Sequence, residues 1–289
     1  MASTQQLKSR IRSVKSTKQI TKAMQMVAAS KMRRAQEATK SSQAYTMAAR
    51  ELLTYLAAQG ATNGHKWFTV RPVKSRLLIV VASDKGLAGA YNANILKAYV
   101  RELKTDDAAN IANKTIAVGR KIAQAATRIK DTEIVGTYED LPDHFSGAEF
   151  HAILNTAKDM FEANQVDAVD VIFTWFVSSL TQRADVVRLF PAGFTPTDDV
   201  QSDIAEAKFE PSPKQIIDDI AYRLISARLF QALTDSRASE HSMRMLAMKN
   251  ATDNATDLVD ALTLEMNKAR QAAITQELTE ISAGVEAMQ

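Results

Sequence analysis

The segment ATDNATDLVDALTLEMNKARQAAITQELTEI, residues 251–281, decides the fold. It contains neither Gly nor Pro, so nothing in it interrupts a helix. Apolar residues recur at Met245, Met248, Ala255, Val259, Leu262, Met266, Ala269 and Ala273, with Thr252 filling one place, at alternating spacings of three and four. That period of 3.5 belongs to a helix supercoiled on a partner helix. The pattern therefore predicts a coiled coil whose second helix lies elsewhere.

The breakers show where to look. All six prolines and eight of the nine glycines fall between Gly60 and Pro213, and the ninth glycine is Gly284. Residues 1–59 and 214–283 are free of both, which predicts long helices at the two ends of the chain. Residues 3–57 read as one helix, about 80 Å long at 1.5 Å per residue. Its stripe begins at Leu7, Ile11 and Val14, shifts to Ile20, Met24 and Val27, and continues through Ala28, Met32 and Ala35. Tyr45, Ala49, Leu52 and Leu56 restore a seam, so the register is expected to slip along the helix. The C-terminal helix starts at Lys214, after FEPSP at 209–213, and runs to about Ala283.

Between the ends the period changes. RLLIVVAS (76–83), TIAVG (115–119), TEIVGTY (132–138), AVDVIFTWFVS (168–178) and ADVVRLFP (184–191) read as strands. Helical stretches 92–104, 120–129 and 145–165 separate the first four. Such alternation predicts a mainly parallel sheet with helices on its faces, and the short turn at 181–183 makes the last strand an antiparallel edge. The expected fold is an inserted Rossmann-like α/β domain at 60–213, flanked by an antiparallel two-helix coiled coil from 1–59 and 214–289.

Composition excludes several chemistries. The absence of cysteine removes disulfides, thiol catalysis and thiolate metal sites. His65, His144, His151 and His241 lack metal-ligand spacing and read as ordinary surface or core residues. No run of 18 apolar residues offers a membrane span. Charge is uneven: residues 1–50 hold 11 Lys and Arg against Glu37 alone, a net of +10, while the remainder carries 25 basic and 32 acidic residues, a net of −7. Lys8, Arg12, Lys15 and Lys22 form a basic stripe beside the first seam. It suits an acidic protein partner, a nucleic acid or plain solvation. The first 35 residues have the composition of a transit peptide, but the helix pattern runs past them without a break.

SDKGLAGAYN (83–92) sits between a strand and a helix, where α/β folds bind phosphate. Gly86 and Gly89 make neither GxGxxG nor a Walker lysine loop, so a tight turn is the better reading. No nucleophile–base set and no metal pattern is apparent, so no catalytic, cofactor-binding or metal residue is expected.

ITKAMQMVAASKMRRAQ (20–36) and NKARQAAITQELTEI (267–281) resemble the two terminal signatures of the γ subunit of F-type ATP synthases. LKSRIRSVKSTKQ before the first and SEHSMRMLAMKNATDNA (239–255) before the second fit the same family, and ASDKGLAGAYN resembles its SDRGLCGG-type turn, with Ala88 where many members have cysteine. The resemblance implies a non-catalytic rotor shaft without a cofactor of its own. Its partners would be the α, β, ε and δ subunits and the c ring, with no nucleic acid. Met24, Arg244, Arg270, Gln271, Thr275 and Glu277 would meet β. Lys31, Met32, Arg33, Arg34, Phe209 and Glu210 would lie near the c ring and ε. Without cysteine the thiol switch of chloroplast relatives could not operate, which points to a bacterial enzyme on the cytoplasmic side of the cell membrane. Readings as a nucleotide-binding enzyme through 83–92, or as a nucleic-acid-binding coiled coil through 1–50, remain open at this point.

Overall fold

A computed structural model describes residues 4–58, 60–130, 132–142, 148–193 and 213–286. Helix α1 spans Thr4–Ala58 and helix α5 spans Pro213–Glu286. Between them lie β1 (Ser75–Val81), α2 (Tyr91–Ala108), β2 (Ala112–Val118), α3 (Arg120–Ala126), β3 (Glu133–Tyr138), α4 (Ala148–Glu162), β4 (Ala168–Phe176) and β5 (Gln182–Phe190). The chain divides into two compact units, Met1–Ala28 with Arg244–Gln289, and Ala29–Met243.

The first unit is a pair of helices. Leu7 and Ile11 of α1 pack on Leu262 of α5, with Val14, Val259, Met266 and Ala269 at the margin. Further along, Thr21 Oγ1 lies 2.8 Å from Thr252 Oγ1. Moving up one helix means moving down the other, so the pair is antiparallel. The α5 seam is buried or half-buried from Met248 to Ala269, as its spacing predicts, but Ala273 is exposed. Beyond Ala269, no described part of the chain covers α5.

The α1 seam does not slip as expected. Positions 7, 11, 14, 18, 21, 25 and 28 are buried or half-buried in unbroken alternation of four and three, and Ile20 and Val27 are exposed. Thr21 and Gln25 occupy seam places that apolarity alone assigns to Ile20 and Met24, and Lys18 fills a third. Lys and Gln can bury their stems while their polar ends reach solvent, and the paired threonines satisfy each other.

The second unit carries both layers around the sheet. Strand order is β3-β2-β1-β4-β5, parallel except for the antiparallel β4–β5 hairpin, with Phe176 opposite Gln182. β1 is central, and its side chains alternate between two cores. Leu77, Ile79 and Val81 join Ile153, Phe161, Ile225 and Leu229 from α4 and α5 on one face. Leu78 and Val80 join Ile95, Tyr99 and Ile122 from α2 and α3 on the other. Burying each of these large side chains contributes roughly 1.5–3 kcal/mol. Ala49, Leu53 and Leu56 of α1 pack against Ile217 and Leu224 of α5 in the same antiparallel sense. Leu53, rather than the exposed Leu52, continues the seam.

Element ends moved for identifiable reasons. Helix α2 continues four residues past Lys104 because Asp106, polar in sequence, is turned inward and held by Arg76 Nη1 at 3.1 Å. Residues 194–212 lie outside the described residues, and α5 begins at Pro213, one residue before the expected start at Lys214.

Candidate functional site

The carboxyl edge of the sheet is where an open α/β fold takes ligands. Here the turn after β1 consumes its own polar groups. Ser83 Oγ donates to Lys85 O at 2.7 Å, and Asn92 Oδ1 accepts from Ser83 N at 3.1 Å. Asp84 Oδ1 accepts from the backbone N–H groups of Arg120 and Asp140, at 3.0 and 3.1 Å. Gly119 lies so close to β1 that a Cβ there would sit 2.2 Å from Ala82 O. Helix α5 fills the remaining space with Leu233, Ser236, Arg237 and Glu240, leaving about 10 Å³. That is room for about one water, not for a nucleotide. The tight-turn reading of 83–92 therefore fits the geometry. Among the described residues, no group of three or more His, Asp and Glu side chains is placed to hold a metal.

The other candidate surface is the outside of the helix pair in the first unit. Arg270 is exposed and borders an open groove with Lys8, Arg12 and Lys15, around Ile11 and Met266. Four cations converge there, and no carboxylate lines the groove. Gln271, Thr275 and Glu277 are exposed, and Thr275 Oγ1 donates to Gln271 O at 2.9 Å, so that hydroxyl serves its own helix. Met24 and Arg244 are half-buried. Arg270 through Glu277 thus share one exposed helical segment, whereas Met24 and Arg244 belong to other turns.

In the second unit, Lys31 is half-buried, Met32 is buried, and Arg33 and Arg34 are exposed on α1. Phe209 and Glu210 lie outside the described residues.

Two features escaped the sequence reading. One is a row of exposed apolar residues, Ile274, Leu278 and Ile281, on the uncovered end of α5. Their spacing of four and three makes a single stripe, which lies off the heptad seam of Met266, Ala269 and Ala273. The outer face of α1 likewise exposes Ile20, Met26 and Val27. The other is a buried polar run in α5, from Thr234 to Ser242, in which Asp235, Ser236, Ser239, Glu240 and His241 are all covered. Burial drives the Asp235 carboxyl up to about 7, against the opposing pull of hydrogen bonds from Thr39 and Gln231.

Comparison with known proteins bears on these surfaces. The family model described as ATP synthase matches residues 3–288. The chain is 38% identical to the ATP synthase gamma chain of Desulforamulus reducens and 37% identical to that of Macrococcus caseolyticus, each over 100% of both chains. Its fold is similar to a chain of the Euglena gracilis mitochondrial ATP synthase OSCP/F1/c-ring structure, with a TM-score of 0.66, 18% identity, and coverage of 99% of this chain and 94% of that one. A chain of the Tetrahymena thermophila mitochondrial ATP synthase central stalk and c-ring gives a TM-score of 0.59 at 23% identity, covering 80% of this chain and 99% of that one. The nucleic-acid reading of the basic arm finds no support in these comparisons. With a family model matched along nearly its whole length and relatives aligned end to end, this chain belongs to the ATP synthase gamma-chain family.

Proposed function

We propose that the chain is the central rotor shaft of an F-type ATP synthase and carries no catalytic site of its own. Its partners are the α and β subunits around the coil, the ε subunit and c ring around the lower part of the molecule, and the δ subunit elsewhere in the complex. Ion flow turns the c ring, the ring turns this chain, and the chain's asymmetry drives each β site through states of different nucleotide affinity. The observation that carries this reading is the uncovered end of α5. From Gln271 to Ala283 every described residue is exposed, yet the stretch keeps an apolar stripe at Ile274, Leu278 and Ile281. An exposed apolar stripe on a helix end with no partner among the described residues suits an enclosing protein surface.

Within this reading Met24, Arg244, Arg270, Gln271, Thr275 and Glu277 face β, and Lys31, Met32, Arg33, Arg34, Phe209 and Glu210 serve the c-ring and ε side. The complex holds the chain at a membrane as a peripheral component, and no described helix is long and apolar enough to cross one. We place it at the cytoplasmic face of a bacterial cell membrane.

The deciding experiment is purification from the native cell. The chain should travel with α, β and ε subunits in a fixed stoichiometry, and its isolation without them would sink the rotor reading. A finer test is Met24→Lys, which sets a cation among the surfaces assigned to β. It should lower ion pumping per ATP hydrolysed while leaving assembly intact, and wild-type pumping would remove Met24 from the interface.

A further inference from the structure

Ser236, Ser239 and Ser242 stand at i, i+3 and i+6 on α5, so they share one face of the helix. All three are fully buried. Two of them hold Thr174 of β4 and the third holds the β4–β5 turn, at the sheet's carboxyl edge. Ser236 Oγ accepts from Thr174 N at 3.2 Å and from Tyr91 Oη at 3.0 Å, which joins α5 to both β4 and the start of α2. Ser239 Oγ donates to Thr174 O at 3.2 Å. Ser242 Oγ donates to Ser179 O at 2.7 Å and accepts from Gln182 Nε2 at 3.3 Å, reaching the β4–β5 hairpin. On the flank, Arg237 Nη2 donates to Leu141 O at 2.7 Å.

These contacts differ in kind from those just before them on the helix. Ala221, Ile225, Leu229, Ala232 and Leu233 pack on the sheet through apolar surface. Apolar packing holds a helix down but is non-directional, so it resists rotation about the helix axis only through shape. A hydroxyl bonded to a fixed backbone group has a narrow range of distance and angle. Three such hydroxyls on one helix face set both the rotation and the axial position of α5. Serine is also small enough to let the helix approach the strand backbone, and the neighbouring Ala238 is buried as well.

We propose that Ser236, Ser239 and Ser242 are positioning residues that clamp α5 in register on the sheet, so that torque passes between the α/β layers and the helix at this point. The proposal rests on the rotor reading above.

The test uses the assembled complex in sealed vesicles, with ATP hydrolysis and ATP-driven ion pumping measured together. Ser239→Ala removes one donor and little bulk, and the triple variant Ser236→Ala, Ser239→Ala, Ser242→Ala removes the clamp. Pumping per ATP should fall in both, and in the triple variant by about fivefold or more, the size of effect expected for one net hydrogen bond. Leu229→Ala is the control: it removes more buried surface from the same helix and should leave the ratio at its wild-type value. An unchanged ratio in Ser239→Ala, or an equal fall in Leu229→Ala, would overturn the clamp. If the triple variant does not assemble, Ser239→Ala against Leu229→Ala carries the same comparison. Failure of the wild-type chain to co-purify with α and β would instead refute the rotor reading.

Discussion

Arg76 on β1 lies where four elements meet. Its Nη1 reaches Asp106 at 3.1 Å and Glu102 at 3.2 Å on α2, and its Nε binds Asp170 on β4. Asp170 also accepts from Arg188 Nε on β5 at 2.5 Å. Three carboxylates thus share three guanidiniums, because Arg101 also reaches Glu102, at 3.3 Å. Asp106 bears the cost of burial, which raises its pKa, with Arg76 opposing the rise and Glu102 and Asp170 adding to it. Removing one partner of a buried ionic group strands the others, so Arg76→Ala should destabilise the chain by about 3–5 kcal/mol in denaturant unfolding. A loss below about 1 kcal/mol would show that water reaches the cluster. Asp235 sets a second test. Asp235 is 4% exposed, and burial pushes its carboxyl up to about 7, whereas an unfolded aspartate titrates near 4. The folded chain therefore holds this proton more tightly than the unfolded chain. Stability from this group is fully present below about pH 4 and is lost as pH rises toward 7, by on the order of 4 kcal/mol in all. Asp235→Asn should flatten that part of the stability–pH curve, and an unaltered slope would mean that another group is responsible.

At the scale of elements, the helix pair in the first unit contains a polar place within an apolar seam. Thr21 and Thr252 face each other at 2.8 Å, and each hydroxyl also has a carbonyl of its own helix within reach, at Lys18 and Met248. Replacing both with valine keeps the shape and leaves no polar atom unpaired. The double variant should be neutral or more stable by about 1 kcal/mol, because matched removal of both partners avoids a desolvation penalty. Thermal unfolding decides it, and a loss of stability in the double variant would mean the hydroxyl pair is worth more than its burial costs. This pair also shows what the sequence hid. Heptad spacing placed the α5 seam correctly from Met248 to Ala269 because apolar residues filled nearly every position. On α1, Lys18, Thr21 and Gln25 hold seam positions while Ile20 and Val27 face outward. A periodicity search follows apolarity, so it shifted the stripe by one residue where the helix buries polar groups and exposes apolar ones. The strands were easier to place. β1 is apolar at nearly every position because both faces of the sheet are covered, and the short, β-branched run LLIVV at 77–81 suits a buried strand. The clamp serines were illegible for the opposite reason: SRASEHS (236–242) has no apolar signal, and its burial depends on Thr174, Ser179 and Tyr91, far away in sequence.

For the whole molecule, the question is which parts of its surface exist for itself and which for a partner. The end of α5 separates the two. No described residue of the chain packs over Ile274, Leu278 or Ile281, which are 49%, 60% and 64% exposed. Substituting all three with glutamine keeps helix propensity nearly constant and removes only surface apolarity. The chain alone should therefore unfold within about 0.5 kcal/mol of the wild type, as surface changes do. In the assembled complex the outcome should differ. If these side chains seat against an enclosing ring, each loses burial worth roughly 1.5–3 kcal/mol. Hydrolysis coupled to rotation should then fall by about tenfold or more, since 1.4 kcal/mol is a factor of ten. The pair of measurements is what discriminates. A stability loss in the isolated chain would mean that the stripe packs within the chain after all. Wild-type stability together with wild-type coupling would mean that the exposed stripe meets no partner, and it would remove the observation on which the rotor assignment most depends. Wild-type stability with impaired coupling is the result expected if α5 extends beyond its own coil because its last turns are built to be held by another protein.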